Sequence, residues 1–391
     1  MVKEFITNEQ RHYLGLEPIG ANWEVIEYKN RQNNWEITYL VFDGDIIRRL
    51  IRFNKHKYEE IQLCEQTAEN RSLLLPKTKR GKPKTLNFAA TQALQGIGCY
   101  FYVWYGGMDG KRCSIGIANY TTQQTFIHEE FQGTGKIQDD VQGWLQRWID
   151  DTTEKDLAEL ERFKNAQRMH QAYRSGDFFA FRLSRREWGF GRILMVVSEL
   201  RKDSQFVANK NYGLTHLMGQ ALIVQIYHKI ASSPTATPEE LKNLPALPAQ
   251  AIMDNDFYYG EHPIIGHLPV SPEEYDPLIS LGQELSNAKN KIVYLQYGLI
   301  YKETILDEFI KAFPDMNLER FCNEGIGFKL KTDCFRECLA EQSNEPFWKS
   351  NYSTFFDDLR NPRNATIKCR LFAFFGLDAK KNYAENLLAY L

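Results

Sequence analysis

The sequence lacks the features that direct a protein into or across a membrane. Its first residues, MVKEFITNEQRHYL, have no uninterrupted apolar core of the kind found in signal peptides. No stretch approaches the roughly 18 consecutive apolar residues of a spanning helix. The seven cysteines are an odd, scattered set without a disulfide framework. We therefore expect a cytoplasmic protein with reduced, mostly buried thiols and no membrane partner.

The chain also has no excess of charge of either sign. It contains 48 Lys and Arg residues against 50 Asp and Glu residues, so no global field draws it towards nucleic acid or an anionic membrane. Its composition, 43% hydrophobic and 25% charged, is typical of a soluble globular protein. The 391 residues are enough for two domains of ordinary size. Any electrostatic contact with a partner must therefore be local.

No recognisable catalytic constellation is present. The eight histidines form no H-E-x-x-H or H-x-x-x-H pair, and the G-x-S-x-G motif of α/β hydrolases is absent. The sequence GTGK, residues 133–136, matches only the end of a phosphate-binding loop, and Ile137 stands where that motif needs Ser or Thr. We predict no catalytic residues and no cofactor.

The densest set of possible metal ligands is Glu261, His262 and His267, beside Asp254 and Asp256. The spacing suits a loop, and loops can assemble metal sites. A polar loop with ordinary hydrogen bonds explains the same residues more simply, so we predict no bound metal.

The first half of the chain shows both strand and helix patterns. Three alternating runs around an Asp-Gly turn predict a β-meander, at residues 23–28, 35–43 and 45–53. A hairpin is expected at residues 99–105 and 113–120. Helical patterns cover residues 58–75 and 150–173, the second a charged helix that links the two halves. Trp144 and Trp148, at i and i+4, should share one helical face and pack in the core.

The central stretch, residues 173–197, predicts a β-hairpin. A turn at residues 175–177 precedes alternating apolar positions, the tip is Arg185-Arg186-Glu187, and a second apolar run returns. Gly189 and Gly191 flank Phe190 in the return strand, where glycine usually marks a bulge or a close approach of another group.

The remaining chain completes an α+β protein. Residues 214–230 are almost continuously apolar, which fits a buried strand or a buried helix. Residues 291–299 predict a strand, and the segments after it read as helices. We expect two domains, each a mainly antiparallel twisted sheet with packed helices. Residues 1–165 would form an N-terminal domain of unknown role that ends in the charged linker helix, and residues 166–391 the second domain.

The second half contains two distinctive stretches, GDFFAFRL (residues 176–183) and WGFGRIL (residues 188–194). Together they resemble the entry motif of the immunity protein 26 family of bacterial polymorphic toxin systems. The later stretches GEHPIIG (260–266), DLRNP (358–362) and FGLD (375–378) are also similar to that family. The resemblance covers about residues 170–391.

The resemblance implies a function in protein binding. Members of such families are not enzymes. They are encoded beside a toxin, bind its C-terminal domain and block its active site or an essential surface. The implied partner is a cognate toxin, in the cytoplasm and without a cofactor. Aromatic and arginine anchors, with acidic or basic residues matched to the toxin, are typical of such contacts. The candidates are Arg185, Arg186 and Trp188 at the hairpin tip, and Asp254, Asp256, Tyr258 and Tyr259 in the loop before Pro263. Core packing explains Trp188 and the tyrosines equally well, and Asp177 and Arg192 could instead pair with each other across the hairpin.

A basic segment supports a different hypothesis. Residues 77–84, from Lys77 to Lys84, carry five basic side chains and no acid, a composition that can bind phosphates. With the aromatic stretch at residues 99–105, it could serve nucleic-acid binding or processing. A solvated surface loop is the simpler interpretation, because no aromatic residue is interleaved with the basic ones.

Overall fold

The computed structural model describes residues 5–30, 37–75, 82, 84–107, 110–284, 291–326, 330, 334–350 and 357–391. The chain divides into two compact units, Met1–His170 and Gln171–Leu391. Both contain antiparallel sheets packed with helices, so the predicted α+β class is confirmed.

The first unit is built on one antiparallel sheet. Its described strands run in the order β1-β2-β3-β4-β7-β8-β9, and β5 pairs with β4 and β6. The bounds are β1 Glu24–Lys29, β2 Ile37–Asp43, β3 Ile46–Asn54, β4 Lys57–Ala68, β5 Leu73–Leu74, β6 Lys84–Thr85, β7 Cys99–Gly106, β8 Arg112–Asn119 and β9 Gln124–Gln132. The helices are α1 Asn8–His12, α2 Phe88–Gln92, α3 Ile137–Asp150 and α4 Glu154–Lys164. The meander and the hairpin are confirmed. The linker helix is shorter than expected, since α4 ends at Lys164.

Helices α3 and α4 cover one face of this sheet. Trp144 and Trp148 of α3 are buried, and their ring centroids lie 5.0 Å apart in a stacked arrangement. Both belong to one core cluster with Phe101 of β7 and Leu160 of α4. The prediction that the two indoles share a face and pack in the core is confirmed.

The helix predicted at residues 58–75 is wrong, because most of this stretch is the strand β4. Most of its polar residues are buried rather than exposed. Glu60, for example, accepts hydrogen bonds from Arg11 (2.8 Å) and Tyr58 (2.6 Å) and lies 3.3 Å from Arg49 Nε. Burial lowers the pKa of Arg49, although the Glu60 charge acts in the opposite direction. Polar positions in β4 therefore do not mark a solvent-exposed face. As a result, the sequence lacks the alternation of apolar and polar residues that would have indicated a strand.

The second unit contains two sheets rather than the single sheet expected. The first has the order β13-β12-β11-β10-β14 and the second the order β15-β16-β17. The strands are β10 Asp177–Ser184, β11 Glu187–Val196, β12 Ala221–Ala231, β13 Gln250–Met253, β14 Ile264–His267, β15 Ile279–Gln283, β16 Ile292–Tyr297 and β17 Ile300–Ile305. The apolar stretch at 214–230, for which strand and helix were both open, is largely the strand β12.

Short helices connect and cover these strands. They are α5 Val197–Leu200, α6 Ser204–Ala208, α7 Tyr212–Thr215, α8 Pro238–Leu241, α9 Asn255–Tyr258, α10 Leu306–Ala312, α11 Phe335–Glu341, α12 Glu345–Lys349, α13 Ala365–Phe374 and α14 Tyr383–Tyr390. Single 3₁₀ turns occur at Pro272–Glu274, Leu318–Phe321 and Pro362–Asn364. The buried Arg360 donates to the carbonyl oxygens of Ala249 (2.8 Å) and Asp276 (3.2 Å) and pairs with Asp358. This arginine holds the C-terminal segment against the chain that precedes β13 and the chain that precedes β15.

The central hairpin is confirmed as β10 and β11, and its glycines have a packing role. Phe179 lies opposite Gly191 and Phe181 opposite Gly189. A Cβ atom added at Gly189 or at Gly191 would come within 2.4 Å of the opposing phenyl ring. Each ring therefore occupies the space that a side chain on the return strand would need, which explains the glycine on either side of Phe190.

Replacing Gly191 should destabilise the second unit. In Gly191→Ala the new methyl group would meet the buried Phe179 ring at 2.4 Å and the Gln225 carbonyl oxygen at 2.7 Å, an overpacking that costs about 1–3 kcal/mol of unfolding free energy. Denaturant unfolding of the full chain measures this loss. Gly325→Ala is the control, since Gly325 is exposed with no atom within 4 Å. Equal midpoints for both variants would contradict the packing role.

Candidate partner-binding surface

Arg192 of β11 fixes the chain that follows β14. Its side chain is 1% exposed, and its guanidinium donates to the carbonyl oxygens of Leu268 (2.8 Å) and Pro269 (2.7 Å) and to Glu274 Oε2 (2.9 Å). The guanidinium carbon also lies 4.7 Å from the centroid of the Phe178 ring, within cation–π range. One buried cation therefore connects the hairpin to residues 268–274.

Glu274 supplies the negative charge opposite Arg192. It also accepts a hydrogen bond from the amide of Ser271 (3.0 Å), and it lies 2.6 Å from Lys242 Nζ. Burial alone would raise the pKa of the Glu274 carboxyl, but the hydrogen bonds from Lys242 and Ser271 and the charge of Arg192 outweigh it and hold the pKa below its usual value of 4.5. The carboxylate is the form that the folded protein favours.

Asp177, at the start of β10, takes a different partner. Its carboxylate accepts from the amide of Arg174 (2.9 Å) and lies 2.8 Å from Nδ1 of His267 in β14. Because a carboxylate only accepts, Nδ1 of His267 carries the proton. The pairing of Asp177 with Arg192 across the hairpin is therefore wrong: Arg192 contacts residues 268–274, and Asp177 contacts His267 in β14.

An open cleft lies beside β14, the edge strand of the sheet. It encloses about 490 Å³, within the size range of ligand pockets. Residues 172–174 line one part of it, and Asp177 and residues 264–267 line the rest. The cleft is therefore bordered by the chain that enters β10, by the edge strand and by the Asp177–His267 pair.

The loop that contains α9 is tied to this cleft. Gln171 donates its backbone amide to the Tyr258 carbonyl (2.8 Å) and its side-chain amide to the carbonyl of His262 (2.9 Å). Tyr173, which lines the cleft, donates its hydroxyl to Asp254 Oδ2 at 2.5 Å. Burial, and then the hydrogen bond to Asp254, raise the pKa of Tyr173 well above its usual value. The loop is thus hydrogen-bonded to Tyr173, which lines the cleft, and to Gln171 two residues before it.

The loop candidates differ in how much of each side chain is accessible. Asp254 is buried against Tyr173, whereas the side chain of Asp256 is exposed and lies 3.6 Å from His262 Nε2. Tyr258 is 39% exposed, and its ring meets that of the half-buried Tyr259 edge to face at 5.2 Å. Asp256 and Tyr258 therefore present the accessible surface of this set.

The hairpin-tip candidates lie at the other end of β10. Arg185 is only 8% exposed, Arg186 is exposed, and Trp188 is half-buried beneath the guanidinium of Arg182, 4.5 Å from the ring centroid. The eight residues of β10 separate its two ends by about 23 Å of extended strand. The structure holds the loop at residues 254–259 against the chain that borders the cleft. The tip residues lie at the far end of β10, away from the cleft.

Two residues that line this cleft, Tyr173 and Arg174, were not identified from the sequence as candidates. His267 was singled out only as a possible metal ligand, and Asp177 only as a possible partner of Arg192. Across the described part of the chain, no group of three or more His, Cys, Asp or Glu side chains is placed to hold a metal ion. The one signal in the sequence was the turn Ser175-Gly176-Asp177, which positions Asp177 at the start of the strand.

The nucleic-acid hypothesis gains little from the structure. Most of the basic segment from Lys77 to Lys84 lies outside the described residues, and of its described members Lys82 and Lys84 are exposed. In the aromatic strand β7, Phe101 and Tyr102 are buried, Tyr100 and Tyr105 are half-buried, and Trp104 is 48% exposed. One accessible indole is not a stacking platform for successive bases.

Comparison with known proteins identifies one family. Residues 174–291 match the family model described as Immunity protein 26, so the resemblance is confirmed for the segment that holds the strands β10 and β11, β14 and most of the residues that line the cleft. The match covers less than a third of the chain and stops short of the stretches near residues 358–378. No curated protein and no solved structure matches significantly. Among the described helices, none combines the length and apolarity needed to cross a membrane.

Acid should weaken the Arg192–Glu274 pair. Since the pKa of Glu274 is lowered in the folded state, its contribution to stability is present above the unfolded-state pKa and is lost as pH falls through the folded-state pKa. We expect Glu274→Gln to lower the unfolding free energy at neutral pH by about 2 kcal/mol and to remove part of the loss on acidification. Unfolding curves between about pH 7 and pH 3 test this, with the exposed Glu239→Gln as control. An unchanged acid slope in Glu274→Gln would contradict it.

Proposed function

We propose that this protein binds a cognate bacterial toxin domain and neutralises it without catalysing a reaction. The observation that carries the proposal is the match of residues 174–291 to an immunity-protein family. The same residues contain the hairpin, the edge strand and most of the residues that line the cleft. The Gln171–Leu391 unit is the proposed toxin-binding module, and the proposed compartment is the cytoplasm.

The division of roles within this unit supports the proposal. Gly189 and Gly191 leave room for phenylalanine rings, and Arg192 is buried in a network of four interactions. These residues of the shared motif determine the framework. A binding protein that must distinguish its own toxin would place the variable contacts on accessible residues outside that framework, where interface anchors are found.

The proposed contact surface is the cleft together with the loop beside it. Asp256 and Tyr258 expose a carboxylate and an aromatic ring on the loop that Gln171 and Tyr173 hold by hydrogen bonds, and tyrosine is enriched at protein interfaces. Asp254 and Tyr259 support this surface from below. We propose a second, separate contact with the toxin at the hairpin tip. It would be made by Arg186 and Trp188, which lie next to the largely buried Arg185.

The complex itself can be isolated. We expect the tagged protein to co-purify with the product of the gene adjacent to its own, and its expression to restore growth to cells that produce that toxin. The absence of both a complex and rescue would remove the proposed function. A complex without rescue would contradict neutralisation while leaving binding intact.

Tyr258→Ala should weaken this complex. Truncating an interface tyrosine at a hot spot costs about 2 kcal/mol or more, which is at least a tenfold rise in the dissociation constant. Ile310→Ala is the matched control, because it removes an exposed apolar side chain from α10, outside the matched segment. Equal affinities for Tyr258→Ala and Ile310→Ala would place the contact elsewhere on the unit.

A further inference from the structure

We propose that β14 receives an extended segment of the toxin as an added strand, which makes main-chain hydrogen bonds to the backbone of His267. This inference rests on the proposed function and names what the partner must present, a short stretch of extended backbone. It is carried by the direction of the His267 backbone groups, by the position of β14 at the edge of its sheet and by the open cleft beside it.

The register of β14 on β10 determines which way the His267 backbone points. Leu268 donates its amide to the carbonyl oxygen of Gly176 (3.1 Å), and at the next position Asp177 lies directly opposite His267. In an antiparallel pair, positions that exchange hydrogen bonds alternate with positions that do not. Since Leu268 and Gly176 are bonded, the next position is not. The N–H and C=O groups of His267 therefore point away from β10.

These two backbone groups have no partner in the part of the chain that the structure describes. β14 is the last strand in the order β13-β12-β11-β10-β14, and neither the amide nor the carbonyl oxygen of His267 takes part in a described hydrogen bond. At the other end of β14, by contrast, the amide of Ile264 donates to Gln171 Oε1 (3.2 Å). An unpaired donor and acceptor on one edge residue are what an added strand binds.

The cleft gives a segment of the partner access to this edge. It encloses about 490 Å³, and all four residues of β14 line it together with residues 172–174. Each of the four is half-buried rather than buried, so the strand is not covered along its length. The open space therefore runs beside the strand whose backbone groups are unpaired.

Prolines limit how much of this edge can pair with another chain. Pro263 directly precedes β14, and Pro269 lies two residues after it. Neither has an amide N–H to donate, and short edge strands flanked by proline are a common protection against unlimited sheet growth. The edge thus fits a short segment. The toxin residue that pairs with His267 cannot be proline, because it must donate a hydrogen bond as well as accept one.

His267→Pro and His267→Ala form a matched pair that isolates the main-chain contact. Both remove the imidazole and its contact with Asp177, but only His267→Pro also lacks the amide N–H. Proline is accepted on an edge strand where the sheet does not use that N–H. In calorimetric titration with the purified product of the adjacent gene, we expect His267→Pro to bind at least about tenfold more weakly than His267→Ala.

Amide exchange of the wild type decides the matter if His267→Pro does not fold. In protein labelled with isotope only at its eight histidines, the amide signal that is missing from His267→Ala belongs to His267. We expect this amide to exchange with solvent more slowly in the complex than in the free protein, because a main-chain hydrogen bond protects it. Equal affinities of the two variants, or unchanged exchange of the His267 amide in the complex, would overturn the inference and leave the proposed function standing. No binding by the wild type would remove both.

Discussion

Arg192 places a guanidinium in a space almost closed to water, and the geometry of the proposed binding surface depends on how that charge is satisfied. A buried ion without partners is strongly destabilising. Here two backbone carbonyls, Glu274 and the Phe178 ring surround it. Because those carbonyls belong to Leu268 and Pro269, directly after β14, satisfying the charge also fixes the edge strand and one side of the cleft.

The hairpin shows why a family motif can be recognised without naming its partner. Phe179 and Phe181 lie over Gly191 and Gly189, and Arg192 follows immediately, so the shared pattern is a packing arrangement. Under the proposed function, residues such as Asp256 and Tyr258, which the framework does not require, would distinguish one toxin from another. Fold and specificity would then be encoded in different residues of the same segment.

How far the sequence predicted the structure depended on where polar residues are placed. The meander and the central hairpin were predictable because their apolar residues alternate. Strand β4 was not, since Glu60 is buried against Arg11 and Arg49, and a polar residue in a core position hides the strand period. The cleft was not predictable either: Asp177 and His267 are 90 residues apart and meet only because β14 pairs with β10. Of the candidate site, the sequence located the loop but not the cleft to which it is tied.

The most direct test of this account is amide hydrogen exchange of the full chain, alone and with the product of the adjacent gene. Amides that a partner covers exchange more slowly, so the method reports the binding surface without any substitution. We expect protection at residues 171–177 and 254–267, which form the cleft and its loop. Protection confined to the hairpin tip or to the Met1–His170 unit, or no protection in a complex that does form, would contradict it.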